Sequence, residues 1–98
     1  PIAVLLVDDD ATWARFVADE IERTAAEVTV TVATDAAEAL ETVGDRAAVD
    51  CVVTDYRMPG MDGVDLLEAV REDHPDLPCL LVTSEGSEDV AVSAIEPA

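Results

Sequence analysis

Two apolar runs in this chain end in carboxylates. Val52-Val53-Thr54-Asp55 leads directly into Tyr56-Arg57-Met58-Pro59-Gly60-Met61-Asp62-Gly63, a turn rich in Pro and Gly. Near the N-terminus, Leu5-Leu6-Val7 leads into Asp8-Asp9-Asp10. An acid just past a buried strand stands at the edge of a sheet with its side chain free. Close carboxylates repel unless a cation joins them, and ligation by oxygen alone suits Mg²⁺ or Mn²⁺. With a metal offsetting the charge on phosphoryl oxygens, a carboxylate such as Asp55 can attack phosphorus and give an acyl phosphate. Asp55 equally fits a metal ligand or the opening of the Met58-Pro59-Gly60 turn. Thr83, followed by Ser84, closes another apolar run, where a hydroxyl can donate to a phosphoryl oxygen.

The elements that would position these groups alternate along the chain. Ile2–Val7 is a continuous apolar run, as in a strand buried on both faces. Ala11–Thr24 has helical periodicity. Trp13, Phe16, Val17 and Ile21 form an apolar face assigned to the core, and Arg15, Asp19, Glu22 and Arg23 lie away from it. Asp10 is the expected N-cap. Val28, Val30 and Val32 alternate with Thr29, Thr31 and Ala33, the pattern of an edge strand. Asp35 and Glu38 form a capping box for a helix over Ala36–Val43 that ends at Gly44. Val49–Thr54 reads as a second buried strand. Asp62 caps a helix through about Asp73, with Val64, Leu67 and Val70 inward and Pro75 as its stop. Pro78–Thr83 reads as a fourth strand. Ser87 is expected to cap a last helix containing Val90, Ala91, Ala94 and Ile95.

The order β-α-β-α-β-α-β-α implies a doubly wound parallel α/β sheet with helices on both faces. In such sheets ligands bind beyond the carboxyl ends of the strands, where the strand order reverses. With the first and third strands adjacent, Asp8, Asp9 and Asp55 converge there. A sheet ending at Pro78–Thr83 leaves that strand at an apolar edge open to pairing. The chain therefore reads as a fragment, one domain over residues 1–98 truncated after a fourth helix.

Composition narrows the function classes. Half of the 98 residues are hydrophobic, enough for one packed domain and too few for two. Twenty-three acids against five bases give a net charge of −18, and every base is Arg. Such self-repulsion weakens a compact state at low salt, which points to a salt-rich cytoplasm. No basic stripe exists to meet phosphates, so nucleic acid is excluded as a direct partner. Nothing approaches a signal peptide or a membrane span, so a cytoplasmic location and no membrane partner are expected. Cys51 and Cys79 sit in apolar runs, outside any metal-ligand spacing, and read as small buried hydrophobes. His74, the single His, stands before Pro75 at a helix end, where a cation suits the helix dipole.

Three pieces together resemble a response-regulator receiver domain, the phosphoacceptor half of two-component signalling. They are Val4 through Asp10, then Thr54 through Gly63 with its D-x-x-M-P-G-M-D-G signature, then Leu80-Leu81-Val82-Thr83-Ser84. The resemblance implies a flavodoxin-like topology with strand order 2-1-3-4, the family's fifth strand and last helix being absent. It implies that Asp55 is phosphorylated, by a sensor histidine kinase or a histidine phosphotransfer protein. Asp8 and Asp9 would organise Mg²⁺ (or Mn²⁺), with Asp9, Asp55 and the backbone carbonyl of Arg57 as the nearer ligands. Thr83 would be the switch that contacts the phosphoryl group. The Arg57 side chain, just after Asp55, reads either as a group that tunes access of water there or as a plain surface charge. Such a domain is not an enzyme beyond catalysing its own phosphorylation and dephosphorylation. It would act on an unknown output domain or protein, and homodimerisation stays open. The Lys that the family places at the end of a fifth strand has no counterpart, since the chain contains no Lys.

Two other functions fit parts of the chain. Asp8-Asp9-Asp10-Ala11-Thr12 matches the D-x-D-x-T pattern of haloacid-dehalogenase-like phosphatases, with Asp8 as nucleophile and Asp10 as general acid. That reading leaves the Met58–Gly63 turn unexplained. A pseudo-receiver serving only as a docking module is the other.

Overall fold

The computed structural model describes residues 1–44, 49–83 and 91–95. Five strands and three helices follow one another as β1 (Ile2–Val7), α1 (Ala11–Thr24), β2 (Val28–Ala33), α2 (Ala36–Val43), β3 (Cys51–Asp55), α3 (Gly63–Asp73), β4 (Cys79–Thr83) and β5 (Ala91–Ile95). They build one sheet of order β2-β1-β3-β4-β5. The first four strands are parallel and reproduce the expected order 2-1-3-4.

The C-terminal segment departs from expectation. Ala91, Ala94 and Ile95 lie in a strand rather than in a fourth helix, and β5 runs antiparallel to β4 with Thr83 opposite Ala91 and Cys79 opposite Ile95. Ser87 and Val90, the other residues of that expectation, lie outside the described residues. The physical reason is the edge itself. β4 is apolar, its outward N–H and C=O groups need partners, and Ala-Val-Ser-Ala-Ile is as compatible with a strand as with a helix. The expected exposed edge at β4 is thereby closed.

Alternation along the strands divides the interior in two. Leu5, Val7 and Val52 face a core with Ala39 and Val43 of α2 and Leu66, Leu67 and Val70 of α3. Leu6 faces the other way, onto Ala14 and Ala18 of α1, with Val4, Val17, Ile21, Val30 and Val53 around it. The α1 interface is thus built on small residues. The aromatic residues assigned to the core are not in it: Trp13 is 55% and Phe16 57% exposed, stacked on each other with ring centroids 5.7 Å apart. Alanines on the sheet side bring the helix close, which turns the aromatic edge of the apolar arc out to solvent. A cavity of about 590 Å³ opens beside that edge, lined among others by Trp13, Val17, Ile21, Leu6, Val53 and Val82.

Each helix starts on an aspartate. Asp10, Asp35 and Asp62 accept from the backbone N–H of Trp13, Glu38 and Asp65 at 3.0, 2.7 and 2.9 Å. The capping box is altered, because the Glu38 carboxylate takes the Thr34 N–H at 2.7 Å and not that of Asp35. Glu22 stays off the apolar face as expected, yet it is engaged, since its Oε2 accepts from Val30 N–H at 2.8 Å. His74 caps the end of α3, its N–H donating to Val70 C=O. Cys79 is buried and Cys51 half-buried, both are free thiols, and burial raises the pKa of each.

Gly63 fixes where α3 begins. A Cβ there would stand 2.4 Å from the Asp55 carbonyl oxygen and 2.7 Å from Leu81 Cδ1. Ala ordinarily favours a helix over Gly, so the sign of a substitution is decided by this contact. Gly63→Ala is expected to destabilise the fold by about 1–3 kcal/mol in urea unfolding, the range for overpacking. Gly60→Ala, where nothing lies within 4 Å but φ is +84°, should cost only the roughly 1–2 kcal/mol of a left-handed residue. A neutral Gly63→Ala would refute this account of the turn.

Candidate metal and phosphoacceptor site

The sheet register alone brings the acids together. Val7 of β1 pairs with Thr54 of β3, so the next residues, Asp8 and Asp55, leave the sheet side by side at the same rim. Asp9 follows Asp8 into the loop before α1. One carboxylate oxygen from each of Asp8, Asp9 and Asp55 lies within 4.8 Å of the others. Asp9 is exposed, while Asp8 and Asp55 are partly buried. The convergence expected for these three residues is thus present. Asp10 is turned away to cap α1.

Backbone amides act on both carboxylates. Asp10 N–H donates to Asp8 Oδ1 at 2.9 Å. Tyr56 N–H donates to Val82 C=O at 2.9 Å, and the backbone amides of Tyr56 and Arg57 beside the Asp55 carboxylate act to lower its pKa. These amides favour the charged forms, but they are outweighed. Burial raises the Asp8 carboxyl above its ordinary pKa, and the charges of Asp55, Asp9 and Asp10 add to the rise. Burial likewise raises Asp55, with Asp9 adding to it. The cluster is therefore negative charge short of a counter-charge, with only oxygen donors. That donor set fits a hard divalent cation.

The turn after β3 shapes the approach to the acids. Met58 is 9% exposed and inserts into the α2–α3 core, with Met61 packed against it. Between them Met61 N–H donates to Pro59 C=O at 3.1 Å around Gly60. Gly63 N–H donates to Tyr56 C=O at 2.8 Å and ties α3 to the strand end. An open cleft of about 510 Å³ lies beside Asp9, lined by Tyr56, Arg57, Met58, Pro59 and Asp62. Thr83 is the last residue of β4, one beyond Val82, which pairs with Asp55. Its backbone therefore reaches the same rim, whereas Ser84 lies outside the described residues.

Two residues bear on the site without having been singled out by their chemistry. Thr54 is fully buried, and its Oγ1 donates to Asp55 C=O at 3.1 Å, orienting the peptide that carries Asp55. Gly63 permits the close approach of α3. Its signal was a Gly directly after an N-cap, where a better helix former would ordinarily stand.

The chain matches the family model described as response regulator receiver domain over residues 4–98. Among curated proteins it is 42% identical over 92 residues to the response regulator protein FleR of Pseudomonas aeruginosa, covering 94% of this chain and 19% of that protein. It is 39% identical over 95 residues to the DNA-binding transcriptional regulator NtrC of Escherichia coli, again 19% of its length. The chain thus spans about a fifth of these relatives. With the chemotaxis protein CheY1 of Helicobacter pylori it shares 32% identity over 95 residues, 95% of this chain and 76% of that one. Among solved structures, a receiver domain protein from Clostridium thermocellum superposes with a TM-score of 0.80 at 24% identity, over 88% of this chain and 68% of that one. The Vibrio cholerae chemotaxis protein CheY4 gives 0.76 at 31% identity, over 89% and 72%.

The raised carboxyls set a pH dependence. A group whose folded pKa lies above its unfolded value opposes folding while ionised, and that opposition fades as pH falls through the folded value. In the presence of a chelator, Asp8→Asn keeps an oxygen for Asp10 N–H but removes a charge. It is expected to raise Tm at neutral pH relative to Glu68→Gln, an exposed control of equal charge change. The advantage should shrink as pH falls toward 4 in thermal melts. An Asp8→Asn protein less stable than the control at neutral pH would contradict the cluster.

Proposed function

Since the chain belongs to the family of response regulator receiver domains, we propose that Asp55 accepts a phosphoryl group from a histidine of a sensor kinase or phosphotransfer protein. The observation that carries this reading is the gathering of Asp8, Asp9 and Asp55 within 4.8 Å at one rim of the sheet. In the transfer, an Asp55 carboxylate oxygen bonds to phosphorus while the phosphorus–nitrogen bond of phosphohistidine breaks. The imidazole leaves and takes up a proton. The backbone amides beside Asp55 favour its charged, attacking form, and Thr54 fixes the peptide behind it.

Asp8, Asp9, Asp55 and the Arg57 carbonyl would hold Mg²⁺ or Mn²⁺. When bound, such an ion supplies positive charge that offsets the phosphoryl oxygens. Thr83, at the end of β4, is the residue whose hydroxyl would engage the phosphoryl group and shift the surrounding surface between two populations. The chain offers no Lys as a further counter-charge, so phosphorylation of these 98 residues is slow in this reading. The output acted upon belongs to another module or protein, as the small fraction of the regulators FleR and NtrC matched by this chain suggests. The charge of −18 supports a salt-rich working environment.

The phosphatase alternative, with Asp8 as nucleophile and Asp10 as acid, is disfavoured by Asp10 Oδ1, which is committed to Trp13 N–H at 3.0 Å. Incubation with labelled acetyl phosphate and Mg²⁺ separates the readings. Label is expected on the parent chain and on Asp8→Asn, though more slowly there, and none on Asp55→Asn. Label kept by Asp55→Asn and lost from Asp8→Asn would reverse the assignment. Mg²⁺ at 100 times its dissociation constant should stabilise the parent by about 2.7 kcal/mol and leave Asp9→Asn nearly unmoved.

A further inference from the structure

The outer edge of β2 carries a device that neither the acidic site nor the phosphotransfer uses. β2 is the last strand on its side of the sheet. At its two ends, Glu27 and Ala33 C=O accept from Ile2 and Asp8 N–H at 2.7 and 3.0 Å. Those residues and the ones alternating with them face β1, so Val28, Val30, Val32 and Thr34 direct their amides outward. Val28 N–H is taken by Ala25 C=O at 3.0 Å. Val30 N–H is taken by Glu22 Oε2 at 2.8 Å. Thr34 N–H is taken by Glu38 Oε1 at 2.7 Å. Glu22 reaches over from α1 and Glu38 from α2, leaving Val32 as the outward donor without a cap among the described residues.

A strand of alternating Val and Thr at a sheet edge is a ready template for another strand. Val28, Val30 and Val32 belong to the α1-side core, while Thr29 and Thr31 are exposed on the other face. Two copies of β2 paired antiparallel about a two-fold axis would set Val beside Val and Thr beside Thr, so the edge is self-complementary. Carboxylate–amide bonds of this length are the strong kind, and two of them, with the Ala25 carbonyl, close three of the four outward amides. We propose that Glu22 and Glu38 hold this edge shut, and that the surface beneath them is a site of strand addition by β2 of a second copy.

The test compares the parent chain, Glu22→Ala/Glu38→Ala, and that pair combined with Val32→Pro. It is run by light scattering at about 1 M NaCl, so that repulsion between highly charged copies is screened. Proline at 32 removes an outward N–H and leaves the β1 ladder intact. The parent should be monomeric. The double variant should self-associate at least tenfold more tightly, and Val32→Pro should return it to monomer. Faster amide exchange at Val30 and Thr34 in dilute double variant should accompany this. Because Glu38 also contributes to the start of α2, Glu22→Ala alone serves where the pair does not fold, with the same direction of effect. A double variant that stays monomeric, an association that survives Val32→Pro, or a parent already dimeric through this edge would each overturn the proposal.

Discussion

Three carboxylates that repel one another are held together here by the backbone of two parallel strands. β1 and β3 are neighbours although they are not consecutive, and Val7 stands opposite Thr54. Parallel strands end at the same rim, so the residues that follow, Asp8 and Asp55, meet without any side chain choosing to bring them there. A hydrogen bond from Asp10 N–H fixes an Asp8 oxygen, while burial and mutual repulsion raise the pKa of Asp8 and Asp55. The fold thus keeps a local electrostatic penalty that a divalent cation would remove. The penalty persists because the surrounding structure over-determines the strand ends.

That surrounding structure is the α2–α3 core. Met58 anchors the turn after Asp55 in it, Gly63 lets α3 approach the strand end, and Asp62 caps the helix that results. Within the signature Asp55–Gly63, the residues that follow the acid are therefore mechanical. On the other face of the sheet, α1 lies close on Ala14 and Ala18 and presents Trp13 and Phe16 to solvent near the same rim.

Much of this was legible in the residues themselves. Continuous apolar runs marked β1 and β3, Val-Thr alternation marked β2 as an edge, and aspartates before apolar periodicity marked all three helix starts. Asp8, Asp9 and Asp55 followed from strand ends plus a topological rule. Three features were not legible. Helical periodicity shows that α1 has an apolar arc but not which part of the arc meets the sheet, so the pattern alone points Trp13 and Phe16 inward. Ala91 through Ile95 satisfy helix and strand alike, and the unpaired edge of β4, a tertiary feature, decides between them. Glu22 and Glu38 look like ordinary helix-surface acids until the neighbouring strand edge is in view.

Binding of a paramagnetic ion tests the central claim most directly, because it separates a site from a diffuse acidic surface. In an amide NMR titration with Mn²⁺ at moderate salt, signals of Asp8 through Asp10 and Asp55 through Arg57 should broaden first, at metal far below protein concentration. Broadening spread evenly over the acids of α1, α2 and α3, with no early loss at the two strand ends, would contradict it.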